Sequence, residues 1–174
     1  MKTMLAVFSA LALALVIAGA MPALLEAKEA KFIGVDGCAR CHKKDKEGRQ
    51  VPIWEKSKHA EAFKNLGTDE AKKRAQKVGV SGDPQKSEAC LVCHVAGLGE
   101  PDSRFDKKFA MEDGVQCESC HGAGGEYKSK KIMKEISDER GPDKKGKSAT
   151  AEQTGLVIPN ENTCKQCHAL EIQF

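Results

Sequence analysis

Apolar residues are spread very unevenly along this chain. The first 27 residues, MKTMLAVFSALALALVIAGAMPALLEA, carry a base at Lys2, an uncharged apolar stretch from Met4 to Ala20, then Pro22 and small residues before the first acid, Glu26. That layout predicts a secretory signal at residues 1–27, cleaved after Ala27, with a rival site after Ala20. The alternative is an uncleaved membrane anchor, because the uncharged run to Leu25 is nearly long enough to span a bilayer. In both cases residues 28–174 are expected outside the cytoplasm, as one domain.

Beyond residue 27 the apolar positions are sparse and recur at helical rather than strand spacing. A short leader, KEAKFIG, is expected to be exposed. VPIWEKSKHAEAFKNLG reads as one helix, with Pro52 in its first turn, Ile53, Ala60 and Phe63 on one face, and Gly67 as its stop. Thr68 is expected to cap a second helix with Asp69 and Glu70 in its first turn, Lys77 near its end and Gly79 after it. A further helix is expected over residues 127–139. RGPDKKGKSATAEQTG reads as an exposed linker, and Asn160 or Asn162 as a cap for the last segment. No stretch gives a convincing strand signal. The expected fold is mainly α, made of short helices and loops with little or no β-sheet.

Composition changes the picture by what it lacks. Without the first 27 residues the chain keeps one Trp, one Tyr and five of its six Phe, among 15 Gly and many Lys, which is little apolar surface for a core. Loss of Lys2 and Glu26 together leaves the net charge at +3. No basic block is interleaved with aromatics, so nucleic acid is not an expected partner.

The cysteines supply the missing core. All eight fall into four CxxCH motifs: Cys38 and Cys41 with His42, Cys90 and Cys93 with His94, Cys117 and Cys120 with His121, Cys164 and Cys167 with His168. This is the attachment motif of c-type haem, in which two thiols bind one porphyrin and the adjacent histidine becomes the proximal iron ligand. Four disulfides or paired zinc sites would use the cysteines but give no reason for a histidine after every second one. Four haem c groups are therefore expected, about one per 37 residues, enough to provide most of the buried apolar surface. Their propionates would bring the net charge to about −1. The motif spacings of 52, 27 and 47 residues are unequal, so the repeat belongs to the sites and not to a solenoid.

EACLVCHVAGLG, followed by GVQCESCHGAGGEY and preceded by WEKSKHAEAF, resembles the tetrahaem cytochrome c-554 family, whose type member carries electrons away from hydroxylamine oxidation. The likeness runs over residues 37 to 133 and the fourth motif. It implies a mostly helical protein wrapped around four closely packed haems, a periplasmic location and an electron-carrier role.

Ligand counting then specifies the sites. The chain has five histidines, and His59 alone lies outside the motifs. It is a candidate distal iron ligand, and the resemblance implies that it serves the third haem. Its rival reading is a solvated surface histidine. Met133 stands where the family has a distal histidine and is a candidate distal ligand of the first haem; its rival role is packing beside Ile132 or Ile136. Met111 is a weaker candidate. The resemblance implies a five-coordinate second haem, open to a small ligand such as nitric oxide. The fourth haem, six residues before Phe174, is expected to be open, or ligated by lysine, a terminal amine or a neighbouring chain.

The favoured function is relay of electrons between redox protein partners, such as a multihaem oxidoreductase and a quinol-linked cytochrome. An electron carrier is expected rather than an enzyme. The competing functions are reduction of a nitrogen oxide at an open haem, and a subunit of a haem-lined filament or larger complex. An oligomer is compatible with all three, and membrane attachment only with an uncleaved signal.

Overall fold

The computed structural model describes residues 29–168; the expected signal and cleavage sites lie outside them. The architecture is mainly helical, as expected. The helices are α1 (Gly34–His42), α2 (Gln50–Trp54), α3 (Ala62–Leu66), α4 (Asp69–Lys77), α5 (Glu88–His94), α6 (Cys117–His121), α7 (Lys130–Glu139), α8 (Ala149–Thr154) and α9 (Glu161–His168). No strand occurs among the described residues; Phe32 and Phe105 form an isolated bridge. None of the described helices is long and apolar enough to cross a membrane.

Local chemistry explains most boundaries. The Thr68 side chain accepts the N–H of Ala71 and starts α4, a cap whose loss typically costs about 1 kcal/mol. Asn160 starts α9 by accepting the N–H groups of Asn162 and Thr163. α7 begins later than expected because the Ser129 side chain accepts the N–H of Ile132.

Three expectations are corrected. The single helix over residues 51–66 is broken: α2 ends at Trp54 and α3 begins at Ala62. The His59 carbonyl accepts N–H groups from Ala62 and from Val115, both at 3.1 Å, so a neighbouring segment competes for the helical bond. The leader is not exposed, since Phe32 and Ile33 are buried. Phe32 packs on Phe105 and Phe109, and those two rings stack at 4.5 Å. Finally, the expected linker contains α8, capped by Ser148 and packed through Ala151 against Tyr127 and Ile136.

The side-chain core is small and divided. One cluster holds Val35, Ala39 and Val51 with Trp54; a second holds Leu66, Leu91 and Val95 with Phe63, Leu98 and Met111; the third is Tyr127, Ile136 and Ala151 with Ile132, Met133 and Leu156. No cluster joins the whole domain. This matches the sparse apolar pattern of the sequence and leaves little apolar side-chain core between the CxxCH helices.

Candidate haem-attachment sites

Each CxxCH motif lies at the C-terminal end of a helix, with its histidine as the last helical residue of α1, α5, α6 or α9. Helical spacing puts the two cysteines of a motif on one face, and the helix end leaves the imidazole free to turn. All eight cysteines are free thiols, and none is fully buried.

Three motif histidines are held by the same kind of contact. His42 Nδ1 lies 3.1 Å from Gln50 Oε1, His94 Nδ1 2.8 Å from the Ala62 carbonyl, and His121 Nδ1 3.0 Å from the Val157 carbonyl. Each partner is a carbonyl oxygen and only accepts, so Nδ1 carries the proton and donates. The lone pair is thereby left on Nε2, the tautomer and orientation that a metal-ligating histidine needs. His121 is clamped twice, because its own carbonyl accepts the Val157 N–H at 2.9 Å.

The motifs also touch one another. Cys38 and Cys117 are hydrogen-bonded thiols, which holds the proton on Cys38, raising it well above the usual thiol range, and pushes Cys117 down. Cys167 is pushed up to about 11, first by burial and then by a hydrogen bond with Cys93. Burial raises Cys120, with Cys164 as the next cause. Motif one thus lies against motif three and motif four against motif two, while Cys120 of motif three is near enough to Cys164 of motif four to feel its charge.

These features fit a haem at each motif. The thiols form no disulfide, and at His42, His94 and His121 the Nε2 lone pair is available. Val92 inside motif two and Val157 beside His121 are large apolar side chains at 59% and 45% exposure, surfaces a macrocycle would cover. The buried Gln116 Oε1 and Ser119 Oγ flank Cys117 without a hydrogen-bond partner among the described residues. No group of three or more His, Cys, Asp or Glu side chains is placed to hold a metal ion among the described residues, whereas a zinc site would gather four.

The two candidate distal ligands are placed differently. His59 comes near the fourth motif: its ring centroid is 5.9 Å from that of His168. Its backbone is fixed by Val115, and Trp54 Nε1 donates to the Val115 carbonyl at 2.8 Å. Met133 packs in the cluster of Tyr127 and Ile136, and Tyr127 is near enough to feel Cys38. Met111 packs in the cluster around Leu91 in motif two. One feature escaped the sequence reading: Glu118, inside motif three, is buried and accepts backbone N–H groups from Ile33, Gly34 and Gly124. An acid between two attachment cysteines was its only trace in the sequence.

Residues 37–122 match the family of cytochrome c554 and c-prime. The chain is 30% identical over 146 residues to cytochrome c-554 of Nitrosomonas europaea, an alignment covering 82% of this chain and 59% of that protein. It therefore spans somewhat over half the length of this relative. No solved structure matches the chain at a significant level.

Proposed function

The chain belongs to the cytochrome c-554 family, and from that premise we propose that it is an exported tetrahaem electron carrier whose attachment sites form one relay. Family membership makes it a c-type cytochrome with covalently bound haem, acting in electron transfer. The number four, the export and the order of the sites are our reading. Cys38, Cys41, Cys90, Cys93, Cys117, Cys120, Cys164 and Cys167 hold the haems, and His42, His94, His121 and His168 are the proximal ligands. Bound haem c supplies one-electron redox chemistry. The polypeptide sets tautomers, spacing and local charge.

The observation that carries the relay is the nearness of the motif thiols, with Cys38 bonded to Cys117, Cys167 bonded to Cys93, and Cys120 close enough to feel the charge of Cys164. It supports a path ordered one, three, four, two. Its two ends are available to a donor and an acceptor, which we take to be redox proteins of the extracytoplasmic space. His59 is assigned to the fourth haem, on the strength of its approach to His168. Met133 is assigned to the first haem, and there the support is the resemblance together with the proximity of Tyr127 to Cys38.

The order is tested in a C117A/C120A variant, which lacks the third attachment. After a partial reduction pulse, one of the three remaining haems should re-equilibrate far more slowly than in the parent protein. Equilibration of all three at the parent rate contradicts the order.

A further inference from the structure

Glu118 sits in the middle of motif three and is 3% exposed. Its Oε1 accepts the N–H of Ile33 at 2.8 Å and of Gly124 at 2.7 Å; its Oε2 accepts Gly34 at 2.8 Å and Ile33 again at 3.0 Å. Both oxygens act only as acceptors, the bonding pattern of an ionised carboxylate. No ion pair reaches it among the described residues. Backbone dipoles alone compensate the charge.

The position of this charge is unusual as well as its burial. Ile33 and Gly34 form the N-terminus of α1, the helix that carries motif one. A carboxylate from motif three therefore satisfies two N–H groups that α1 leaves without helical partners, where the helix dipole also favours negative charge. Cys38 of motif one and Cys117 of motif three are in contact beside it, and the field of Glu118 is felt at both thiols. At motifs two and four the nearest acids in sequence are Glu88 and Glu161, which are exposed. Glu161 is also paired with Lys165 at 2.6 Å. Solvent and counter-charge screen those acids, while a buried charge acts through a poorer dielectric.

From this geometry we propose that Glu118 is a fixed negative charge at the junction of motifs one and three that lowers the reduction potentials of the two haems held there. This rests on the tetrahaem reading and deepens it. A nearby anion favours the ferric state, which carries one more positive charge than the ferrous state. At motif one the charge of Glu118 opposes the rise that a methionine ligand such as Met133 would bring, and at motif three it acts without that opposition. A purely structural bracket between α1 and α6 would hold the same bonds but leave the two potentials unmoved.

The test is a spectroelectrochemical titration of the matured protein and its E118Q variant, with intact mass taken on the same samples. Two of the four midpoint potentials should rise in E118Q while two stay at parent values. Four attached haems with every potential unmoved overturns the inference and leaves the tetrahaem reading standing. A parent protein whose mass shows no haem at motifs one and three overturns both. If E118Q does not accumulate, E118D decides, because it keeps the charge and shortens the reach. Parent-like potentials with a lower melting temperature support the charge, and an upward shift of the same two potentials shows that bracket geometry, not charge, was responsible.

Discussion

The imidazole rings of His59 and His168 face each other with centroids 5.9 Å apart and planes tilted by 56°. With metal–imidazole bonds of about 2 Å, two rings on opposite sides of one metal have centroids about 6 Å apart. Two rings in direct contact also fall in the range of about 4.5–7 Å, so the spacing fits both a shared iron and a simple pair. Spectroscopy separates them. In H59A, low-temperature EPR should show one low-spin ferric haem converted to high-spin, and an unchanged spectrum removes His59 as a ligand.

Met133 is tested by the same logic with a different signature. A thioether on ferric iron gives a near-infrared charge-transfer band, which the parent protein should show and M133L should lose. Leu nearly conserves the volume in the cluster of Tyr127 and Ile136, so the substitution should cost less than about 1.5 kcal/mol of stability. A spectrum without that band in the parent assigns Met133 to packing alone.

Gly114 fixes the loop that carries His59. Its φ is +75°, and a Cβ there would lie 2.8 Å from the His59 carbonyl oxygen. G114A should therefore lower stability by more than about 1 kcal/mol, since Ala is forced into a left-handed backbone. It should also weaken the low-spin signal assigned to His59. A parent-like melting curve and EPR spectrum would contradict the clamp.

The α7 to α8 contact has a predictable pH dependence. Side-chain hydrogen bonds from Ser148, then from Thr150, hold the exposed Glu139 carboxyl below its ordinary range. A depressed folded value means that the contribution is fully present above the unfolded carboxylate value and lost as pH falls through the folded one. Compared by melting, the parent should exceed E139Q in stability at neutral pH, with the gap closing in acid. A gap that is constant with pH would show that the carboxylate's charge is not involved.

Much of this was legible in the sequence because it depends on neighbours in the chain. The CxxCH motifs, the Thr68 cap and the Asn160 cap are local arrangements, and each folds where its residues predict. What was not legible depends on distant partners. The helix through His59 breaks because Val115 takes its carbonyl, and Phe32 is buried because Phe105 and Phe109 come to meet it. The helix Ala149–Thr154 was hidden in a polar stretch. Ser148 ahead of it and Gly155 after it, at φ +74°, were its local signals, but only Tyr127 and Ile136 give Ala151 a surface to pack on. The pairing of His59 with the fourth motif is likewise a property of the assembled chain, beyond the reach of spacing.

Relay, ligands and potentials all depend on four CxxCH motifs that each anchor a haem through two thioethers. Intact mass spectrometry of the protein, exported from a host that matures c-type cytochromes, measures this directly. The expected mass is that of the polypeptide beginning after Ala27 plus four haems, all retained under denaturing conditions. A mass equal to the bare polypeptide, or to one carrying disulfides in place of haem, would contradict it.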